Sequence, residues 1–247
     1  QMFKDGNIGY FTCSIKDNYK DFINEFKKTE EEFLITNKSI KKEGGELWVS
    51  CSPWYHFSSL VPPFDTNITI PDKINGIEVG SINEECFKNS NIENVTLPSS
   101  IDSIFTRAFY GCSNLKNINL SNVQLIGPEA FANCPLLTDN IDLSSVNRVD
   151  NKGLAGTYFK TIDLPACESV GDSAFESCIA QEITLNKATD LGDNAFKNCS
   201  NLETLYIPMA TSLDRCDGCT NLQTIFAPML ESIIAGIPNN TTIYCTR

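Results

Sequence analysis

The feature that most constrains the fold of this chain is a five-residue phrase, Ala-Phe-x-x-Cys, that recurs along it. Four copies are intact: AFYGC at 108–112, AFANC at 130–134, AFESC at 174–178 and AFKNC at 195–199. Three degenerate copies keep the spacing of 20 to 23 residues: CFKNS at 86–90, GLAGT at 153–157 and RCDGC at 215–219. A fixed period of this length is typical of a solenoid, because one unit cannot bury its own apolar face and must stack on its neighbours.

A short strand pattern accompanies the phrase. Two apolar residues flank one outward residue, as in Val95-x-Leu97 and Ile162-x-Leu164, and nine such segments run from Ile68 to Cys245. This alternation predicts strands with one face buried, and we expect all nine to pair as one parallel sheet. A proline often ends the segment, since it lacks an amide hydrogen, and a further apolar pair such as Val146 and Val149 follows.

The phrase itself predicts packing. Its phenylalanines are expected to form an internal aromatic column. Its last position also accepts Ser90 and Thr157, so it calls for a small side chain, and we expect buried thiols there: Cys112, Cys134, Cys178, Cys199 and Cys219. The total of eleven cysteines is odd, and a chain of 247 residues does not need a disulfide framework.

The pattern L-x-x-I-x-L-P followed by I-G-x-x-A-F-x-x-C resembles the BspA-type leucine-rich repeat, the Treponema pallidum class of the leucine-rich repeat superfamily. Residues 67–247 carry the resemblance. It implies an α/β fold, a right-handed leucine-rich-repeat solenoid or horseshoe with a parallel, strand-dominated concave sheet. The pattern departs at Leu154 and at Cys216. It also departs from Glu231 to Gly236, and we expect the array to fray in this last segment.

Residues 1–66 do not fit the repeat and are predicted to form an N-terminal α+β capping region, with 67–247 as the solenoid. Strands are predicted at 9–16 and 46–51. An apolar stripe over 18–34 predicts a helix, with Asn18 able to cap it. A cap of this kind would cover the apolar end of the first coil.

Composition narrows the class of partner. The formal net charge of −12 argues against nucleic acid and anionic membrane surfaces, so protein or glycan partners are expected. No run of 18 apolar residues is present, which argues against membrane insertion. Either a secretion signal or lipoprotein anchor was removed before Gln1, or there was none. We expect a monomer.

The sequence offers little for catalysis. The single histidine, His56, lies five residues after Cys51, but no orienting residue frames a nucleophile and base. Cys216-x-x-Cys219 has redox or zinc-like spacing, yet it coincides with a degenerate copy of the phrase and lacks a second ligand pair. We predict no catalytic residue, no metal and no cofactor. An enzyme that uses residues 1–66 or a pair of acids is the alternative.

The functional hypothesis therefore rests on the residues that lie between the two buried positions of each predicted strand and face outward from the sheet. This series runs Thr96, Asn119, Asp142, Asp163, Thr184, Tyr206, Phe226, Tyr244. Five of them are the predicted ligand-binding residues: Tyr206, Phe226, Tyr244, Asp142 and Asp163. Neighbouring strands of a sheet lie about 5 Å apart, so the three aromatic residues would form one patch of the kind enriched at interfaces. The structural alternative is that the patch covers the end of the array or lies under a further repeat.

The family resemblance implies a noncatalytic interaction module, secreted or displayed on a microbial surface. Similar proteins are surface antigens that adhere to cells or to host extracellular-matrix proteins, and they are found in gut and oral anaerobes and in anaerobic protists. The concave sheet would bind a protein or a glycan. A passive spacer of a larger surface protein is the second hypothesis.

Overall fold

A computed structural model of the protein describes residues 38–43, 46–51, 66–70, 72–74, 77–138 and 141–245. Within these ranges the chain winds into stacked coils, and its strands pair in parallel except for two antiparallel pairs near the N-terminus. The stacking of repeats is therefore confirmed. The helical part of the predicted α/β class and α+β cap is not supported, because the described residues contain no helix. The predicted strand at 9–16 and helix at 18–34 lie outside the described residues.

The described residues form nineteen strands. In chain order they are β1 (Lys38–Glu43), β2 (Glu46–Cys51), β3 (Asn67–Thr69), β4 (Lys73–Ile74), β5 (Ile77–Ile82), β6 (Asn94–Thr96), β7 (Ser103–Ile104), β8 (Asn117–Ile118), β9 (Leu125–Ile126), β10 (Arg148–Val149), β11 (Thr161–Asp163), β12 (Ser169–Val170), β13 (Glu182–Thr184), β14 (Asp190–Leu191), β15 (Thr204–Tyr206), β16 (Ser212–Arg215), β17 (Thr224–Phe226), β18 (Ser232–Ala235) and β19 (Thr242–Tyr244). Most have two or three residues because each coil turns after one short side.

One side of the stack is sheet I, with the order β1-β2-β5-β7-β9-β10-β12-β14 and β4 paired to β5. Its strands use the second apolar residue of the pair that follows each x-apolar-x segment, such as Val149 beside Ile126 and Val170. The sequence indicated only apolar pairs at these positions, so this sheet was not predicted. β2, predicted at 46–51, is confirmed, and it pairs in parallel with β5.

The opposite side is sheet II, which is built from the predicted x-apolar-x strands. It comprises two segments, β3-β6-β8 and β11-β13-β15-β17-β19. The prediction of one continuous nine-stranded sheet is wrong at residues 141–143, which form no strand. The stretch from Cys134 to Ile141 is one residue longer than the stretch from Cys112 to Ile118.

The Ala-Phe-x-x-Cys segments stack between the two sheets and close each coil. Phe109 lies 5.1 Å from both Phe87 and Phe131, ring centroid to ring centroid, and Phe175 lies 5.7 Å from Phe196. Leu154 interrupts the column between these two stacks. Backbone amides hold the segments together, as where Phe109 donates to the Ala130 carbonyl at 2.8 Å. The predicted aromatic column is thus confirmed.

Two residues of each phrase turn adopt positive φ, except in the copy at 215–219, where only Gly218 does. One precedes the alanine, as at Glu129 with φ 54°. The other precedes the cysteine, where Asn133 has φ 61° and glycine occurs at Gly111 with φ 67°. Asparagine and glycine tolerate this left-handed conformation, which explains why they recur at this variable place.

The array continues to its last described residues. β18 (Ser232–Ala235) pairs with β16, and β19 pairs with β17, so the expected fraying from Glu231 to Gly236 is wrong. The segment lacks the phrase but keeps the apolar Ile233 beside Leu213 in the strand ladder. A missing phrase therefore does not end the coil.

Candidate functional site

The outward residues of sheet II come into one line because the strands pair in register. Asp163 pairs with Thr184, Thr184 with Tyr206, Tyr206 with Phe226, and Phe226 with Tyr244. Their buried neighbours, such as Ile183 and Leu205, face the core and are fully buried. Five consecutive rungs therefore present one column, which we call the outward column.

The aromatic end of the outward column is partly ordered by stacking. The rings of Tyr206 and Phe226 lie 4.7 Å apart, centroid to centroid, with an interplanar angle of 5°. Both side chains are half-buried, while Tyr244 is 56% exposed. We call these three residues the aromatic ladder. Stacked rings of this kind are rigid at low entropic cost and are suited to contact a partner.

The acidic end of the outward column lies at the break in sheet II. Asp142 belongs to the segment 141–143, and Asp163 belongs to β11 on the next coil. Both side chains are exposed. The Ser144 amide donates to Asp142 Oδ1 at 2.9 Å, and the bonds from Ser144 lower the pKa of the Asp142 carboxyl. Asp142 is therefore ionised at neutral pH.

A shallow groove of about 220 Å³ lies between the two acids. Phe159 and Ile141 contribute apolar lining, and Asp142, Asp163 and Thr161 contribute polar lining. The groove exists because the missing strand leaves the adjacent rungs unpaired. The structure thus brings both predicted acids to one groove and the three predicted aromatics to one ladder, two rungs away.

Towards the N-terminal end of sheet II, asparagines occupy the first position of each strand, and Asn119 continues the outward position. Asn117 donates to Asn94 at 2.6 Å, and Asn94 donates to Asn67 at 2.6 Å. Asn119 bonds the backbone of Leu97 through both ends of its amide, at 2.6 Å and 2.9 Å. These side chains satisfy one another, so this region of the face offers fewer free groups than the outward column.

Exposed apolar residues beside the ladder were missed from sequence. Met209 is 46% exposed and Met229 is 52% exposed, each directly after the proline that ends a ladder strand. The repeated Pro-Met pair was the available signal. Methionine adapts to irregular partner surfaces, so the two residues extend the apolar area of the face.

The cysteines form a structural column. The side chains of Cys112, Cys134, Cys178, Cys199 and Cys219 are buried, as predicted, and none of them forms a disulfide. Four thiols donate to the carbonyl of the phenylalanine one coil earlier: Cys112 to Phe87 at 2.9 Å, Cys134 to Phe109 at 3.1 Å, Cys199 to Phe175 at 3.0 Å and Cys219 to Phe196 at 2.9 Å. Burial raises the pKa of Cys112 to about 11, which makes it a poor nucleophile at neutral pH.

The other residues considered for catalysis or metal binding do not form a site in the described part of the chain. Cys216 and Cys219 are both buried, and no described group of three or more His, Cys, Asp or Glu residues is placed to hold a metal ion. His56 lies outside the described residues, and the side chain of Cys51 is likewise not described. Within the described ranges, no helix has the length and apolar character needed to cross a membrane.

The stacked coils, parallel short strands and repeated core columns define a β solenoid of the leucine-rich-repeat class. The family described as "BspA type Leucine rich repeat region" matches residues 65–158 and 147–244, in six copies. The chain belongs to this family.

Solved structures agree with this assignment. A leucine rich cell surface protein from Faecalibacterium prausnitzii is 19% identical with a TM-score of 0.56, covering 81% of this chain and 75% of its own. A leucine rich repeat protein from Treponema pallidum is 20% identical with a TM-score of 0.50, covering 76% of this chain and 78% of its own. At these identities the likeness concerns the fold alone. No curated protein matches the chain significantly.

Proposed function

We propose that this chain is a noncatalytic interaction module, secreted or displayed on a cell surface, that binds a protein or a glycan through the open face of sheet II. The aromatic ladder would form the centre of contact, with Asp142 and Asp163 at its polar end. Membership of the BspA-type family supports a repeat module. A structural neighbour is described as a cell surface protein, which supports the same location here.

One observation carries the proposal, namely the aromatic ladder on a solvent-facing sheet. Three large rings occupy consecutive rungs where the preceding rungs carry Thr184 and Asp163. Aromatic residues are enriched in the buried centres of protein interfaces, and adhesion to a cell or to a host extracellular-matrix protein would use such a patch. We expect the monomer to be the binding unit.

The test is a binding screen against immobilised extracellular-matrix proteins and a glycan array. Replacing Tyr206, Phe226 and Tyr244 together with serine should weaken capture of any bound ligand at least about tenfold, because such rings supply most of the contact energy. Tyr158→Ser is the matched control, since Tyr158 is 44% exposed but lies off the outward column.

Stability must be measured beside binding. Tyr244→Ser alone should leave the melting temperature unchanged, because its ring is mostly exposed. If the triple variant binds as the parent does, the aromatic ladder is not the binding site and the proposal fails. If the parent captures no ligand, the chain is a passive spacer and the proposal fails as well.

A further inference from the structure

The geometry points to an arginine side chain of a basic, extended polypeptide as the group that the outward column binds. We infer that its guanidinium stacks on the free face of Tyr206, above Thr184, and pairs with the Asp163 carboxylate. This inference rests on the proposed function and names the partner of the same face.

The first step is the orientation of the Tyr206 ring. Phe226 covers one face of Tyr206, since the two rings are 4.7 Å apart and nearly parallel. Their spacing matches the distance between adjacent strands, so the ring normals run from strand to strand. The other face of Tyr206 therefore looks along the column towards Thr184, its partner in the ladder.

The second step is the space over Thr184. Threonine is short, and the next rung carries Asp163, which pairs with Thr184 in the ladder. Two rungs separate Tyr206 from Asp163, which is about 9.6 Å along the sheet. A planar cation stacked about 4 Å from the ring fills this space and lies about 6 Å from the Asp163 strand, within the range over which opposite charges attract.

The third step is charge. Asp163 and the adjacent Glu182 are exposed, and neither takes part in a salt bridge with a described residue. Some acids elsewhere on the chain are paired, as Glu129 is with Arg107 and Glu176 with Lys152. With a net charge of −12, the chain attracts basic partners and repels acidic glycans.

The fourth step separates arginine from the other occupants. A neutral sugar could stack on the same free face of Tyr206, but it brings no positive charge to the Asp163 carboxylate. Lysine can pair with Asp163 but does not stack as a plane, whereas guanidinium does both. A polypeptide also offers apolar side chains to Phe226 and to the exposed Met209 and Met229.

The experiment uses two labelled peptides of equal charge, (Ser-Arg-Ser-Leu)3 and (Ser-Lys-Ser-Leu)3, with fluorescence anisotropy on the full chain at about 150 mM salt, where long-range attraction is screened. We expect the arginine peptide to bind about two- to fivefold tighter than the lysine peptide, because stacking on an exposed ring contributes a binding free energy of this size.

Three variants locate the site. Asp163→Asn should weaken arginine-peptide binding about two- to fivefold, as expected of an exposed ion pair. Asp190→Asn is the matched control, since it removes the same charge from exposed Asp190 on sheet I and should have no effect. Thr184→Met should abolish the preference for arginine, because its aliphatic side chain fills the space over Tyr206 and offers no aromatic ring for stacking. Thermal melts verify that each variant is folded.

Equal affinity for the two peptides, or equal effects of Asp163→Asn and Asp190→Asn, would overturn the inference. If in that case the triple serine variant still loses a ligand from the array, the proposed function stands and only the arginine assignment fails. A neutral glycan that competes with neither peptide yet needs the aromatic ladder would likewise reject arginine as the occupant.

Discussion

At the scale of single residues, the cysteine of the phrase acts both as a small core residue and as a hydrogen-bond donor. Cys134 donates to the Phe109 carbonyl of the previous coil, and Cys199 does the same to Phe175. Thr157 instead donates to Leu154 within its own coil, at 2.7 Å. The position therefore accepts Cys, Ser or Thr because all three are small and carry a donor.

Because the chain buries several thiols, we expect its stability to fall at high pH. Unfolded thiols titrate near pH 8.5, whereas burial raises the pKa of Cys112 and of Cys167 to about 11. Between these values the unfolded chain releases protons that the folded chain keeps. The free energy of unfolding should then fall by up to about 1.4 kcal/mol per pH unit for each such thiol, and it should be fully retained below pH 8.

The measurement is urea denaturation at pH 7.5 and at pH 9.5 with a phosphine reductant. Cys112→Ser should show a shallower decline, because a serine hydroxyl does not titrate in this range. An equally steep decline in parent and variant would show that this thiol does not set the pH dependence.

At the scale of elements, the middle coil shows how one copy of the phrase adapts the core. Leu154 replaces the phenylalanine and is fully buried. Gly153 precedes it, and a Cβ there would lie 2.9 Å from Val149 Cγ1 and 3.1 Å from Ile126 Cγ2. The backbone of this coil thus lies close to sheet I, and the smaller Leu154 fits the space that remains.

Restoring the phrase in this coil should therefore destabilise the protein. We expect Leu154→Phe to lower the free energy of unfolding by about 1–3 kcal/mol, because an extra ring volume overpacks a filled core. Chemical denaturation measures this change in the free energy of unfolding, with Leu136→Phe at an exposed site as the control. A Leu154→Phe variant more stable than the parent would show instead that the gap in the aromatic column is a cavity.

Much of the fold followed from sequence because the phrase fixed the register. Once Phe109 and Cys112 were aligned with their repeats, the alternation along each strand identified Tyr206 and Asp163 as outward residues. Sheet I was missed because strands such as Arg148–Val149 have two residues, too few to alternate. The break at 141–143 was not predictable, because Ile141 and Leu143 keep the same alternation as the paired strands and pairing depends on contacts between coils that a linear pattern does not contain.

At the scale of the whole molecule, the N-terminal strands extend sheet I beyond the repeats. β2 pairs with β5 through Leu47 and Val79, and β1 pairs with β2. Removing residues 1–66 would leave the β5 edge unpaired from Val79 to Ile82, since β4 pairs only with its first two residues. We expect the remaining chain, 67–247, to self-associate, because an exposed strand edge templates pairing with another copy.

Size-exclusion chromatography and thermal melting of the two chains test this prediction. A truncated chain that stays monomeric and melts cooperatively would show that the repeats cap themselves. The full chain at the same concentration is the control, and it should elute as a monomer.

The bonds between coils also decide how the molecule responds to force. Backbone donors such as Phe109 and Gly127 reach acceptors one coil away, so these bonds run along the stacking axis. Tension applied between the two ends of the chain loads these hydrogen bonds along their length. Because each coil bonds only to its neighbours, the coils separate one after another. A coil of about 21 residues releases about 70 Å of chain. Anchored at one end and holding a ligand at the other, the solenoid would lengthen in steps and absorb shear before the contact broke.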